Sequence, residues 1–89
     1  MITINNDSKV CYIGDNPVKL TKSEFKLISF FVENPNKVFS REELIKVAWT
    51  EEVSDRAVDT AISRLRKKLG EEGKRIISRI GFGYIYENN

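Results

Sequence analysis

Residues 54–69 read SDRAVDTAISRLRKKL, and the two faces of this stretch decide the fold. Val58, Ile62, Leu65 and Leu69 recur at i, i+4, i+7 and i+11. At roughly 100° per residue they form one narrow apolar stripe that faces a core. Arg56, Thr60, Ser63, Arg64 and Lys67 fall on the opposite side, which is positive and rich in hydrogen-bond donors. Asp55 near the start and Lys67 and Lys68 near the end agree with the helix dipole. A basic outer face is by itself only a solvated face, so its meaning depends on the surrounding sequence.

Working outward, two more helices precede this one, and each has a start signal. Thr21 stands three residues before Glu24, a capping box, with Leu20 and Phe25 as its hydrophobic staple. Ser40 and Glu43 form a second box, stapled by Phe39 and Leu44. Ser54 caps the basic helix with Val53 and Val58 as staple, but Ala57 stands where a box needs Glu or Gln. The first helix, 22–33, is apolar over much of its girth and is expected to be the central core helix. Asn34-Pro35-Asn36 ends it. The second, 41–49, presents Leu44, Ile45, Ala48 and Trp49 as its buried side. The connector from Trp49 to Val53 is short and acidic.

Residues 1–20 read as short antiparallel strands, 2–4, 9–13 and 17–20, separated by turn clusters. Val38-Phe39 either adds a further short strand or simply staples the next helix. Beyond the basic helix, Gly70 is a C-cap candidate and 71–75 a charged loop. Residues 76–86 then read as a β-hairpin with a glycine-rich tip, Gly81-Phe82-Gly83. The fold class is therefore α+β, one domain over 1–89: strands in 1–20, a three-helix unit in 21–69, a hairpin in 70–89.

The 89 residues support one small core. Net charge is only +2, but it is uneven. Residues 1–55 carry 7 Lys/Arg against 9 Asp/Glu, whereas 56–89 carry 8 against 4. A basic face at one end of a near-neutral domain suits an anionic polymer. Cys11 is the single cysteine and there is no histidine, so neither an internal disulfide nor a zinc cluster is expected. Cys11 lies in an apolar run and reads as a small buried residue. No apolar stretch approaches a membrane span, and no signal-peptide pattern opens the chain. With no His, no Cys–His pair and no phosphate-cradling glycine loop, an enzyme and a bound cofactor are not expected.

Two helices, a basic helix and then a hairpin make the plan of a winged helix-turn-helix. A major groove about 12 Å wide admits one α-helix. The preceding helix braces the backbone, and the hairpin can reach the adjacent minor groove, where Arg is favoured.

Phe39-Ser40-Arg41-Glu42-Glu43-Leu44-Ile45, Trp49, Val58-Asp59, Ile62-Ser63-Arg64-Leu65-Arg66-Lys67-Lys68-Leu69 and Gly81-Phe82-Gly83-Tyr84 resemble the effector domain of OmpR/PhoB-type response regulators. The combination of Leu-Arg-Lys-Lys with Gly-x-Gly-Tyr at this separation is specific, and the resemblance is strongest from Leu20 to Tyr84. It implies an N-terminal four-stranded sheet, three helices and a hairpin wing. It implies sequence-specific binding of double-stranded promoter DNA, with a second copy on repeated half-sites, in the cytoplasm as part of a two-component system. A receiver domain would lie outside these residues, so the chain is expected to be an excised effector domain. A stand-alone or membrane-tethered relative, or a winged helix used for protein docking, is the alternative.

By position, the resemblance makes Arg56, Ser63, Arg64, Arg66 and Lys67 DNA-facing, with Thr60 beside them. Arg64 is the candidate for a bidentate guanine contact, against a phosphate contact or a solvated charge. Lys67 and Lys68 are expected on phosphates. Arg66 either faces DNA or pairs with Asp59. Trp49 and Tyr84 lie near the DNA backbone or are core aromatics with a polar tip. The sequence departs from the family at Thr60-Ala61, where Val-His is common. It departs again at Ile80, where an Arg usually precedes Gly-x-Gly; Arg79 sits one step earlier. Phe82 either meets sugars and bases or packs within its own turn. The 49–56 loop, which in the family can meet RNA polymerase, is a residue or two short.

Overall fold

The computed structural model describes residues 1–88. Strands β1 (Ile2–Asn5), β2 (Val10–Ile13) and β3 (Asn16–Val18) form an antiparallel meander. Helix α1 (Lys22–Glu33), strand β4 (Val38–Phe39) and helices α2 (Arg41–Ala48) and α3 (Asp55–Leu69) follow. A 3-10 segment (Gly70–Arg75) leads into the hairpin of β5 (Ile76–Arg79) and β6 (Gly83–Tyr86). This is the expected winged helix-turn-helix.

The caps place the helices where the sequence put them. Thr21 Oγ1 accepts the Glu24 N–H at 3.2 Å, and Glu24 Oε1 accepts the Thr21 N–H at 2.9 Å. Ser40 and Glu43 repeat the reciprocal pair at 3.1 and 3.0 Å. Ser54 accepts from the Ala57 N–H at 3.2 Å, with no return bond. α2 stops one residue early, because Trp49 leaves helical geometry and becomes the C-cap.

Two expectations change. The N-terminal sheet has three strands, not four, and ends on β3, where Pro17 sits on an edge and costs no ladder bond. The remaining strand, Val38-Phe39, joins the wing instead, pairing with Ile85 and Tyr84 to give the order β4-β6-β5. Twelve residues of α1 carry the chain about 18 Å before β4 begins, which takes it to the hairpin side of the core. The charged loop at 71–75 is a 3-10 segment laid against α3. A Cβ at Gly73 would run into the backbone carbonyl of Arg66, so glycine is what permits the close approach.

Leu27, Ile28 and Phe31 of α1 meet Leu44 of α2, Val58, Ile62, Leu65 and Leu69 of α3, and Ile76 of β5 in one core. Phe39 anchors β4 there by stacking edgewise on Phe30, with centroids 4.6 Å apart. Cys11 is buried, and burial pushes its thiol up from the ordinary range. Among the described residues no helix is long and apolar enough to cross a membrane.

One buried carboxylate locks α1 to α3. Glu24 is 2% exposed, yet its Oε1 also receives the Lys68 ammonium at 2.7 Å. Burial pushes this carboxyl up, but Lys68 and the Thr21 N–H outweigh it and hold it below its ordinary value. A carboxyl depressed on folding adds stability above its unfolded pKa and loses it as pH falls through the folded one. Lys68→Met should therefore destabilise the domain by about 1–3 kcal/mol at neutral pH. The gap to wild type should close in acid, as followed by urea unfolding across a pH series. A pH-independent gap would show that Lys68 stabilises by packing alone.

Candidate nucleic-acid interface

Burial of Val58, Ile62, Leu65 and Leu69, none more than 2% exposed, fixes the roll of α3. The opposite side then presents Arg56, Thr60, Ser63, Arg64 and Lys67 to solvent, and Arg66 is exposed on the flank it shares with Asp59. Among the described residues, Arg56, Arg64, Arg66 and Lys67 take part in no ion pair and no side-chain hydrogen bond. Four cations with no internal partner, on one exposed helix beside hydroxyl donors, make a surface able to meet phosphates and base edges.

Trp49 stands at the edge of this surface. It is half-buried, and it lines a shallow open groove with Arg56, Thr60 and Arg64 of α3 and with Thr21 and Ser23 at the start of α1. The sequence marks Thr21 only as a cap and carries no signal at Ser23. Nothing local marks either as a neighbour of Arg64, because the adjacency arises from the packing of α1 on α3.

One expected contact is corrected, and the alternatives at Arg66 and Tyr84 are narrowed. Lys68 is committed to Glu24 rather than free for phosphate, because it lies about 100° round the helix from Lys67 and faces α1. Arg66 does not pair with Asp59. The two are seven residues apart, about 10 Å along the axis, and the Asp59 oxygens are taken by other groups. Arg41, the first residue of α2, donates from Nε to Asp59 Oδ1 at 2.8 Å and from Nη2 to Oδ2 at 3.3 Å. The Tyr84 hydroxyl donates to the same Oδ1 at 2.5 Å. Tyr84 is therefore a core aromatic, 6% exposed, whose polar tip is spent inside the protein. Arg79 is half-exposed and held by Glu87 at 3.0 Å.

The Asp59 cluster ties α2, α3 and the wing to one another. The Arg41 guanidinium holds the Asp59 carboxyl below its ordinary value, against the effect of partial burial and with help from the Tyr84 hydroxyl. Burial first, and the Asp59 carboxylate second, push Tyr84 up to about 12. Arg41 also lies over the Tyr84 ring, 5.9 Å from its centroid.

Comparison with known proteins agrees with this geometry. Residues 15–86 match the family described as transcriptional regulatory protein, C terminal. The chain is 38% identical to the uncharacterized transcriptional regulatory protein YclJ of Bacillus subtilis, covering 98% of this chain and 40% of that protein. It is 38% identical to the phosphate regulon transcriptional regulatory protein PhoB of Klebsiella pneumoniae, covering 96% and 39%. The chain thus spans about two fifths of the length of these relatives. Among solved structures it resembles the response regulator AdeR DNA-binding domain in complex with an intercistronic region. The TM-score is 0.91 at 39% identity, over 99% of this chain and 95% of that one. It also resembles the Klebsiella pneumoniae RstA DNA-binding domain in complex with the RstA box. Here the TM-score is 0.84 at 29% identity, over 99% and 92%.

The tyrosine bond has a pH signature. A group raised on folding gives its full stabilisation below the unfolded pKa, near 10 for tyrosine, and loses it as pH rises through the folded value, about 12. Tyr84→Phe should cost about 1 kcal/mol at neutral pH. Wild type should lose that advantage between pH 10 and about 12, as read by unfolding midpoints at stepped pH. Parallel curves for the two proteins would mean that the hydroxyl does not hold the wing.

Proposed function

The chain belongs to the family of C-terminal domains of transcriptional regulatory proteins, and on that premise we propose that it is the DNA-binding effector domain of an OmpR/PhoB-type two-component response regulator. The observation that carries this reading is the outer face of α3, where Arg56, Arg64, Arg66 and Lys67 have no partner within the described structure. α3 lies in the major groove of promoter DNA, α2 braces it at the backbone, and the β5–β6 hairpin is the wing. Arg64 reads a guanine edge from the centre of the exposed face. Thr60 and Ser63 offer short hydroxyl contacts. Arg56, Arg66 and Lys67 neutralise phosphates, and Trp49 lies along the backbone at the edge of its groove.

The parent protein acts in the cytoplasm, carries a receiver domain outside these residues, and places a second copy on a repeated half-site. The α2–α3 connector, with the exposed Glu51 and Glu52, is the segment assigned to RNA polymerase in this reading. The reading assigns no catalytic role to any residue. Family membership supports these statements, and the cationic face supports the duplex as the partner.

Selection of duplexes from a random pool tests the reading as a whole. The domain should enrich one half-site and prefer it over random duplex by about 10³ or more. Enrichment of nothing would turn the basic face into a protein-docking surface. On the selected site, Arg64→Ala should cost about 1–3 kcal/mol and blur preference at one base pair. An unchanged binding curve would remove Arg64 from the readout. Lys67→Ala should instead weaken selected and random duplexes alike and lower the salt slope by about one unit. A loss confined to one sequence would contradict its assignment to phosphate.

A further inference from the structure

The tip of the wing is apolar. Ile80 is 93% exposed and Phe82 is 75% exposed, and neither packs within the hairpin. The Phe82 N–H donates to the Arg79 carbonyl at 2.9 Å, closing a four-residue turn. Gly81, at φ +86°, takes the third position, as a type II turn requires. Ile80 is thus held at the second position, and the Arg79–Gly83 pair is the last rung of the hairpin ladder behind it. The cations at the two ends of β5 are already engaged. Arg79 is bound to Glu87, and Arg75 to Glu72 at 3.2 Å and to the Glu87 carbonyl. The hairpin cannot swing freely relative to α3, because Tyr84 of β6 is bonded to Asp59 of α3.

Resting on the reading of α3 as the major-groove element, we propose that Ile80 and Phe82 form an uncharged wedge that enters the adjacent minor groove of the same duplex and selects the flanking sequence there. Shape and area favour this occupant over a second protein. A stable protein interface needs about 800 Å² from each partner, whereas an Ile and a Phe on a turn offer roughly 300–400 Å². Two side chains projecting from a tight turn instead match a groove about 6 Å wide. There they pack on sugar C–H edges and press on a base step, which is easiest at flexible pyrimidine–purine steps. Such a contact releases no counterions, so it adds affinity and sequence preference without adding salt dependence.

The test uses duplexes carrying either one or two copies of the half-site chosen from a pool by the wild-type chain, and the variants Ile80→Ser/Phe82→Ser and Ile80→Arg. Both side chains are exposed, so thermal midpoints should match wild type. The double variant should bind roughly tenfold more weakly, with an unchanged slope of log affinity against log salt. The loss should be largest where a flexible step lies under the wing. Ile80→Arg should steepen the slope by about one unit. Equal binding of the double variant, or a loss seen only on duplexes with two half-sites, would overturn the wedge. The second outcome would assign the tip to a neighbouring copy. Failure of the wild type to select any duplex would overturn the α3 reading and the wedge with it. A selective wild type with indifferent wing variants would overturn the wedge alone.

Discussion

The burial of four aliphatic side chains along one stripe of α3 is the constraint on which the rest of the structure depends. Each such residue is worth about 1.5–3 kcal/mol when removed from water. Val58, Ile62, Leu65 and Leu69 are all fully or almost fully buried. Rolling the helix by one residue, about 100°, would expose this stripe and drive charged side chains into the core, at a cost no surface contact could offset. The cationic face is therefore a consequence of the core. The backbone positions of that face are fixed before any ligand arrives, so the ordering cost of binding falls on the exposed side chains alone.

The second constraint is the Asp59 carboxylate, which converts a well-placed helix into a well-placed helix and wing. An exposed Arg–carboxylate pair contributes little by itself. Here the pair also receives a hydroxyl from a buried tyrosine, and a buried hydroxyl without a partner is costly. The cluster is consequently harder to break than its ion pair alone. Gly83 completes the arrangement. Its φ of +139° and its lack of a Cβ let β6 approach the backbone of Phe39, where any side chain would collide. The hairpin is held by β4 on one side and by α3 on another, and it cannot shift without disturbing both.

The sequence revealed what is local or periodic and concealed what is neither. Helix starts were legible because a cap needs only residues three apart, and all three N-caps form as expected. The outward face of α3 was legible because four apolar positions determine its phase. The partner of each charge was not. Glu24 and Lys68 are 44 residues apart, and Arg41 and Asp59 are 18 apart. No periodicity connects them. Lys67 and Lys68 looked equivalent as neighbours in a basic run, yet one turn angle separates a solvent-facing cation from one clamped to α1. Val38-Phe39 carried a strand signal too short to reveal its partners Ile85 and Tyr84, which lie far along the chain in β6. Gly73 looked like loop composition, but it is a contact residue whose role appears only when the 3-10 segment folds back on α3.

The distribution of free charge separates two ways of holding a duplex. Among the described residues, the uncommitted cations of the C-terminal third lie on α3, whereas those of the wing are neutralised by Glu72 and Glu87. On the proposed docking, attraction to phosphate is concentrated along one helix. The exposed carboxylates of Glu51 and Glu52, just before α3, repel any approach that leads with the connector. On that docking, long-range electrostatics would orient the domain with α3 towards the duplex, and the neutral tip would add no competing pull towards another orientation. Its contribution begins only at contact range, where apolar packing depends on the local width and stiffness of the groove. A charged tip would bind more tightly to every sequence; a neutral one confines its gain to flanks that admit it, which is why an apolar wing favours discrimination over raw affinity.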